Sequence, residues 1–156
     1  MNTKKRINII DLLVVVVALI AVAVIGVSKF TGKDSVNGEN KKMIITFYSE
    51  EVSESIADYI KDGDIISDST TKVVFGNAKI TTDDSVSYIA TDKNEYIKAT
   101  RAGYKSITII CETEAVFSDI GAVFDGNIYG VGHTLTLLVG DSRFTARIKD
   151  IEIVED

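Results

Sequence analysis

The apolar residues of this chain fall into two unlike patterns. Residues 12–27, LLVVVVALIAVAVIGV, run for sixteen positions without a charged or polar side chain. Beyond the forties, apolar and polar residues alternate instead. With Ile9 and Ile10 before it and Phe30 after it, the first run reaches about 20 residues, the length a helix needs to cross a ~30 Å hydrocarbon core. Residues 8–30 are therefore predicted to form a transmembrane helix, anchored by Leu12, Leu13, Val14, Val15, Val16, Val17, Ala18, Leu19 and Ile20. Its β-branched residues cost little, because helix is the only conformation in which a lone span satisfies its own backbone. Asn8 and Asp11 sit near its start, shallow enough for the headgroup region. Lys4, Lys5 and Arg6 lie in the start 1–7 and outnumber Lys29 and Lys33 beyond the run. By the positive-inside rule they hold the amino terminus in the cytoplasm and send the rest of the chain outside.

Two rival readings start from the same residues. A cleavable signal peptide would use Ala21-Val22-Ala23 as its small-x-small site. The apolar run continues through Val24, Ile25 and Val27, however, where a mature chain turns polar. A pilin-like leader is suggested by Ile7-Asn8-Ile9-Ile10-Asp11-Leu12-Leu13-Val14-Val15. Against it, Arg6 stands where processing requires Gly or Ala, and Gly32 and Gly38 interrupt the long helix that pilins need. An uncleaved single-pass anchor is the expectation.

Residues 31–41, TGKDSVNGENK, are small, polar and Gly-containing and read as a flexible linker. In the domain 42–156 period-two alternation dominates. Met43, Ile45 and Phe47 share one strand face; Val74, Gly76, Ala78 and Ile80 a second; Ile107, Ile109 and Cys111 a third. Leu135, Leu137 and Val139 form an inward row, and Phe144, Ala146 and Ile148 the next. At Asp150 the phase slips, since Ile151 and Ile153 continue the apolar face out of register; a bulge or a change of neighbour is expected there. Only Val52, Ile56, Tyr59 and Ile60 show helical spacing, with Ser49 as N-cap and Gly63 as terminator. Many short strands, Gly-marked turns and one short helix predict a mainly β fold, a small barrel or sandwich.

Composition narrows the chemistry. The 156 residues carry 17 Lys plus Arg against 23 Asp plus Glu, a net charge of −6, which disfavours nucleic acid as a partner. From Lys41 onward 12 basic residues face 20 acidic ones. One Cys and one His exclude a disulfide framework and the usual zinc sets. His133, in Gly130-Val131-Gly132-His133-Thr134, is the sole imidazole and reads first as a structural residue; Cys111, mid-strand, reads as a buried thiol. Asp62, Asp64 and Asp68 cluster around Gly63 but lack the further alternating ligand and bidentate Glu of a calcium loop. Asp83-Asp84, Asp92 and Asp141-Ser142 look like turn residues. No glycine loop here cradles phosphate. No cofactor, no metal and no catalytic residue are expected, and the chain is not read as an enzyme. Tyr88, Tyr96 and Tyr104 could form an exposed row, and Glu112 and Glu114 share an outward strand face. Ala122-Val123-Phe124 is the candidate for an exposed apolar loop. Glu112, Glu114 and Phe124 are thus the candidate contact surface.

Asn8-Ile9-Ile10-Asp11, Gly63-Asp64, Gly76 and Val131-Gly132-His133-Thr134-Leu135-Thr136-Leu137 together carry a resemblance. With one span and a Gly-punctuated β domain, the chain resembles the bacterial membrane protein family named domain of unknown function 4330. That resemblance implies the architecture and no catalytic residues, since the family has no assigned activity. A looser similarity is to the mammalian cell entry domain of lipid-transport systems, through Met43–Phe47, Lys61–Ile66 and Val74–Ala78. That family's pattern has closer glycines, whereas none lies between Gly63 and Gly76 here. The expected role is a non-catalytic binding or assembly module of the cell envelope, outside the membrane, with another envelope protein or a wall polymer as partner. The alternative is lipid or hydrophobic-ligand handling by a homo-oligomer of the β domain.

Overall fold

Strand β1 (Asn40–Ser53) alternates buried and half-buried residues along most of its length, with Met43, Ile45 and Phe47 wholly enclosed. It belongs to a computed structural model describing residues 39–154. The expected span 8–30, the cations Lys4, Lys5 and Arg6, and most of the expected linker lie outside the described residues. Among the described residues no helix is long and apolar enough to cross a membrane. The strand begins at Asn40, so the last two positions of the expected linker already belong to the sheet.

After β1 come a four-residue helix, α1 (Glu54–Ala57), then β2 (Ile65–Asp68), β3 (Val74–Asn77) and β4 (Lys79–Asp84). A hairpin of β5 (Ser87–Ala90) and β6 (Tyr96–Ala99) precedes the longest strand, β7 (Tyr104–Ser118). The chain closes with β8 (Gly121–Phe124), β9 (Asn127–Tyr129), β10 (Thr134–Val139) and β11 (Ser142–Ile153). Nine strands make one sheet in the order β3-β2-β10-β11-β1-β7-β8-β9, with β4 also on β7, and β5 and β6 pair separately. The described fold is therefore mainly β, and the nine-stranded sheet forms half a barrel. At Gly76 β3 comes against β7, where a Cβ would lie 2.7 Å from the Glu112 carbonyl oxygen. Only glycine permits that approach.

The inward rows of β1, β7, β10 and β11 match the alternation in the sequence: Ile107, Ile109, Cys111, Leu135, Leu137, Val139, Phe144, Ala146 and Ile148 are all buried. The phase slip near Asp150 is a bulge. Phe47 pairs with Ile148 and Thr46 with Asp150, leaving Lys149 as the extra residue and bringing Ile45 opposite Ile151.

Four expectations are corrected. Ser49 is not a helix cap: it is a buried strand residue opposite Ile107, and β1 continues to Ser53 after a second irregularity before Val52. Pairing with β7 takes the expected first residues of the helix, which is left as the single turn Glu54–Ala57, because a helix so short gains little on its own. Tyr59 accordingly stays 65% exposed while Ile60 is buried. Val74 does not share an inward face with Ala78, because Val74 is exposed and Phe75 fills the core instead. The chain turns at Ala78 between β3 and β4, which resets the alternation. Asp83 and Asp84 end β4, opposite Ser106 and Lys105, rather than forming a turn. Phe124 is not in an exposed loop: Ala122, Val123 and Phe124 belong to β8 and are all buried.

The tyrosine row also divides. Tyr88 and Tyr96 are exposed on the β5–β6 hairpin, whereas Tyr104 begins β7, half-buried under the Arg101 guanidinium at 4.1 Å.

Candidate functional site

Phe75 lies at the centre of an aromatic cluster, 5.1 Å from Phe47, 5.3 Å from Phe124 and 5.0 Å from Tyr129 between ring centroids. The near-perpendicular contacts with Phe124 and Tyr129 suit the charge distribution of the rings. Tyr129 is 1% exposed, so its hydroxyl requires a protein partner. It donates to Asp68 Oδ2 at 3.0 Å. Asp68, the last residue of β2, is itself only 5% exposed.

The β2–β3 loop is built around this carboxylate. The Thr70 N–H donates to Oδ1 at 2.7 Å and the Thr71 hydroxyl to Oδ2 at 3.0 Å. The Lys72 N–H closes the turn on the Asp68 carbonyl at 2.9 Å, with Lys72 at φ 65. An aspartate binding backbone two residues ahead is the expected chemistry of such a turn. Thr71 Oγ1 also lies 2.6 Å from Tyr129 Oη, so two hydroxyl protons serve three close oxygen pairs. Burial raises the Asp68 pKa, but the hydrogen bonds from Thr70, Thr71 and Tyr129 outweigh it and the carboxyl sits below its ordinary value. Burial, together with the neighbouring Asp68 charge and hydrogen bond, pushes Tyr129 up to about 12 against the opposing Thr71 bond. Asp68 is thus a fixed anion and Tyr129 a fixed donor at neutral pH.

Beside this buried triad opens a recess of about 390 Å³. Thr70 and Thr71 line one side, Asn127, Ile128 and Tyr129 of β9 another, and His133, Thr134, Leu135, Thr136 and Thr145 the rest. Thr136 faces Thr145 across the β10–β11 ladder. The turn between β9 and β10 places His133: its N–H donates to the Gly130 carbonyl at 3.0 Å, and Gly132 takes φ +87. The imidazole lies 5.7 Å from the Tyr129 ring and nearly parallel to it, at 22°. His133 therefore joins a site, which its place in the sequence left open, although its own ring is exposed.

The other candidates lie apart from this recess. Asp64 Oδ2 accepts from the Lys61 N–H and Asp62 Oδ1 from the Ile80 N–H, so both carboxylates brace their own loop. Among the described residues no group of three or more His, Cys, Asp or Glu is placed to hold a metal ion. Burial pushes the Cys111 thiol up to about 12, leaving it unreactive in the folded chain. Glu112 and Glu114 are exposed on β7 opposite Ile44 and Lys42, but Phe124 is not with them. The pairing of Asp68 with Tyr129 leaves no local pattern in the sequence, because 61 residues separate them. The usable local signal was Asp68 followed by Thr70 and Thr71, an Asx-turn pattern.

Neither a search of curated proteins nor one of solved structures returns a match. A family model described as Domain of unknown function (DUF4330) matches residues 2–152, nearly the whole chain, and the protein belongs to that family.

Proposed function

We propose that this chain is a single-pass, membrane-anchored protein of the cell envelope whose outer β domain is a non-catalytic binding module. The recess beside Asp68 and Tyr129 is its recognition site. The observation that carries this reading is the state of the buried triad. Asp68 accepts from Thr70, Thr71 and Tyr129, so its lone pairs are engaged and its pKa is lowered. General acid–base work wants a group that titrates near the operating pH. Asp68 and Tyr129 are held away from it and shape the wall of a recess instead. The sixteen-residue apolar run supports the anchor, and the cations before it support an outer location for the domain. Handling of lipid by an oligomer finds no support at its expected apolar loop, since Ala122, Val123 and Phe124 are buried.

The test places a photo-activatable side chain at Asn127, on the recess, and a control at Glu112 on β7, in the full chain in living cells. The expected result is a discrete adduct from Asn127 that is missing from Glu112. Equal capture at both positions, or none at Asn127, contradicts the reading.

A further inference from the structure

We propose that the recess binds a neutral, polyhydroxylated chain, a glycan, through its threonine hydroxyls. The inference rests on the binding-module reading and names the ligand class of that same site. Asp68 is the one carboxylate among the lining residues, and no Lys or Arg lines the recess. An anionic ligand would meet a carboxylate with no Lys or Arg to offset it. A cation would find a single carboxylate whose oxygens already accept three hydrogen bonds. What the lining offers is uncharged: hydroxyls of Thr70, Thr134, Thr136 and Thr145 and the amide of Asn127.

Each threonine hydroxyl both donates and accepts, and the amide carries donors and an acceptor. That is the complement of a sugar hydroxyl, which also needs both roles filled. Sugar rings further present a C–H face that seeks an apolar or aromatic surface. Ile128, 43% exposed, and the His133 ring held against Tyr129 supply one. The volume of about 390 Å³ lies in the range of small-ligand sites. Arg147, whose Cα is opposite Thr134, is drawn off by Glu50 at 2.6 Å, so it does not make the site cationic.

The experiment uses the full chain in lipid nanodiscs, free of glycoside detergents. Its probes are a β-1,4-linked N-acetylglucosamine tetramer, a maltotetraose and an acidic uronate tetramer. The expected result is saturable binding of a neutral tetramer, with the uronate weaker by ~tenfold or more. The pair Thr136→Val and Thr145→Val, which keeps side-chain shape on the strands, should weaken the neutral tetramer ~tenfold without lowering the melting temperature substantially. His133→Ala, in the turn, should weaken it as well. Absence of saturable binding of either neutral tetramer at millimolar concentration, or binding indifferent to all these substitutions, overturns the proposal. If neither tetramer binds while the Asn127 probe captures a discrete protein, the glycan assignment falls and the binding-module reading stands. If Asn127 captures nothing either, both fall.

Discussion

Asp68 remains charged inside the fold because backbone and hydroxyl donors reach its carboxylate although burial opposes the charge. Tyr129, which supplies one of those donors, is held protonated to about 12. Each shift ties stability to pH in its own direction. For Asp68 the folded pKa lies below the unfolded value near 3.8, so its contribution is complete above that value and is lost as pH falls through the folded pKa. For Tyr129 the folded pKa lies above the unfolded value of 10.0. The unfolded chain then loses its proton first, so the tyrosine's contribution is complete below about 10 and declines until about 12. Denaturant unfolding across pH should show both declines. Tyr129→Phe should remove the tyrosine's share of the alkaline decline, leaving that of Cys111, whose thiol is likewise pushed up to about 12, while costing about 1–3 kcal/mol at neutral pH, because a buried carboxylate loses a donor. An unchanged alkaline limb in Tyr129→Phe would show that Tyr129 is not the group responsible.

At the scale of elements, the strands that bury one face were legible and the places where the chain leaves a simple pleat were not. β7, β10 and β11 could be read from alternation because a one-residue slip would turn every inward side chain to water. The helical spacing from Val52 to Ile60 does yield a helix, but only over Glu54–Ala57, because β1 runs on to Ser53. The Val74 row was misread because two strands meet at Ala78 with different phases. Long-range pairings such as Asp68 with Tyr129 leave no periodic trace at all. The bulge at Lys149 offers a sharp check. Deleting Lys149 leaves Ile148 and Ile151 both facing inward, so the variant should fold with a loss of about 1 kcal/mol, within the ordinary range for a point change. Deleting Thr145 instead inverts one side of β11 relative to Ile148 and should abolish cooperative unfolding. Paired thermal melts decide it, and equal damage from both deletions would refute the bulge assignment. The β5–β6 hairpin presents the opposite case, with Tyr88, Ile89, Tyr96 and Ile97 all more than half exposed. A two-stranded ribbon with so much exposed apolar surface adds little stability of its own.

For the whole molecule, family membership over residues 2–152 joins the amino-terminal run and the β domain in one unit of description, while the role of that unit is the proposal made above. The chain enters the sheet at Asn40, opposite Val116, whereas the β5–β6 hairpin is tied to the other end of β1 through the Val86 N–H and the Glu50 carbonyl. At ~3.3 Å per residue along a strand, about 30 Å of β1 runs between Asn40 and Glu50. The acidic balance of the domain, 20 acidic against 12 basic residues from Lys41 onward, also disfavours lying flat on an anionic bilayer. The central claim is that this domain is held outside the membrane by a single uncleaved span. Its most direct test is Asp119→Cys, at the exposed turn between β7 and β8, treated with a membrane-impermeant maleimide in intact cells. The buried Cys111 thiol stays silent in the folded protein and serves as the internal control. The account predicts labelling of Cys at position 119 before lysis, on a full-length chain that remains with the membrane after alkaline washing. Protection until lysis, or release of a shortened chain by the wash, would contradict it.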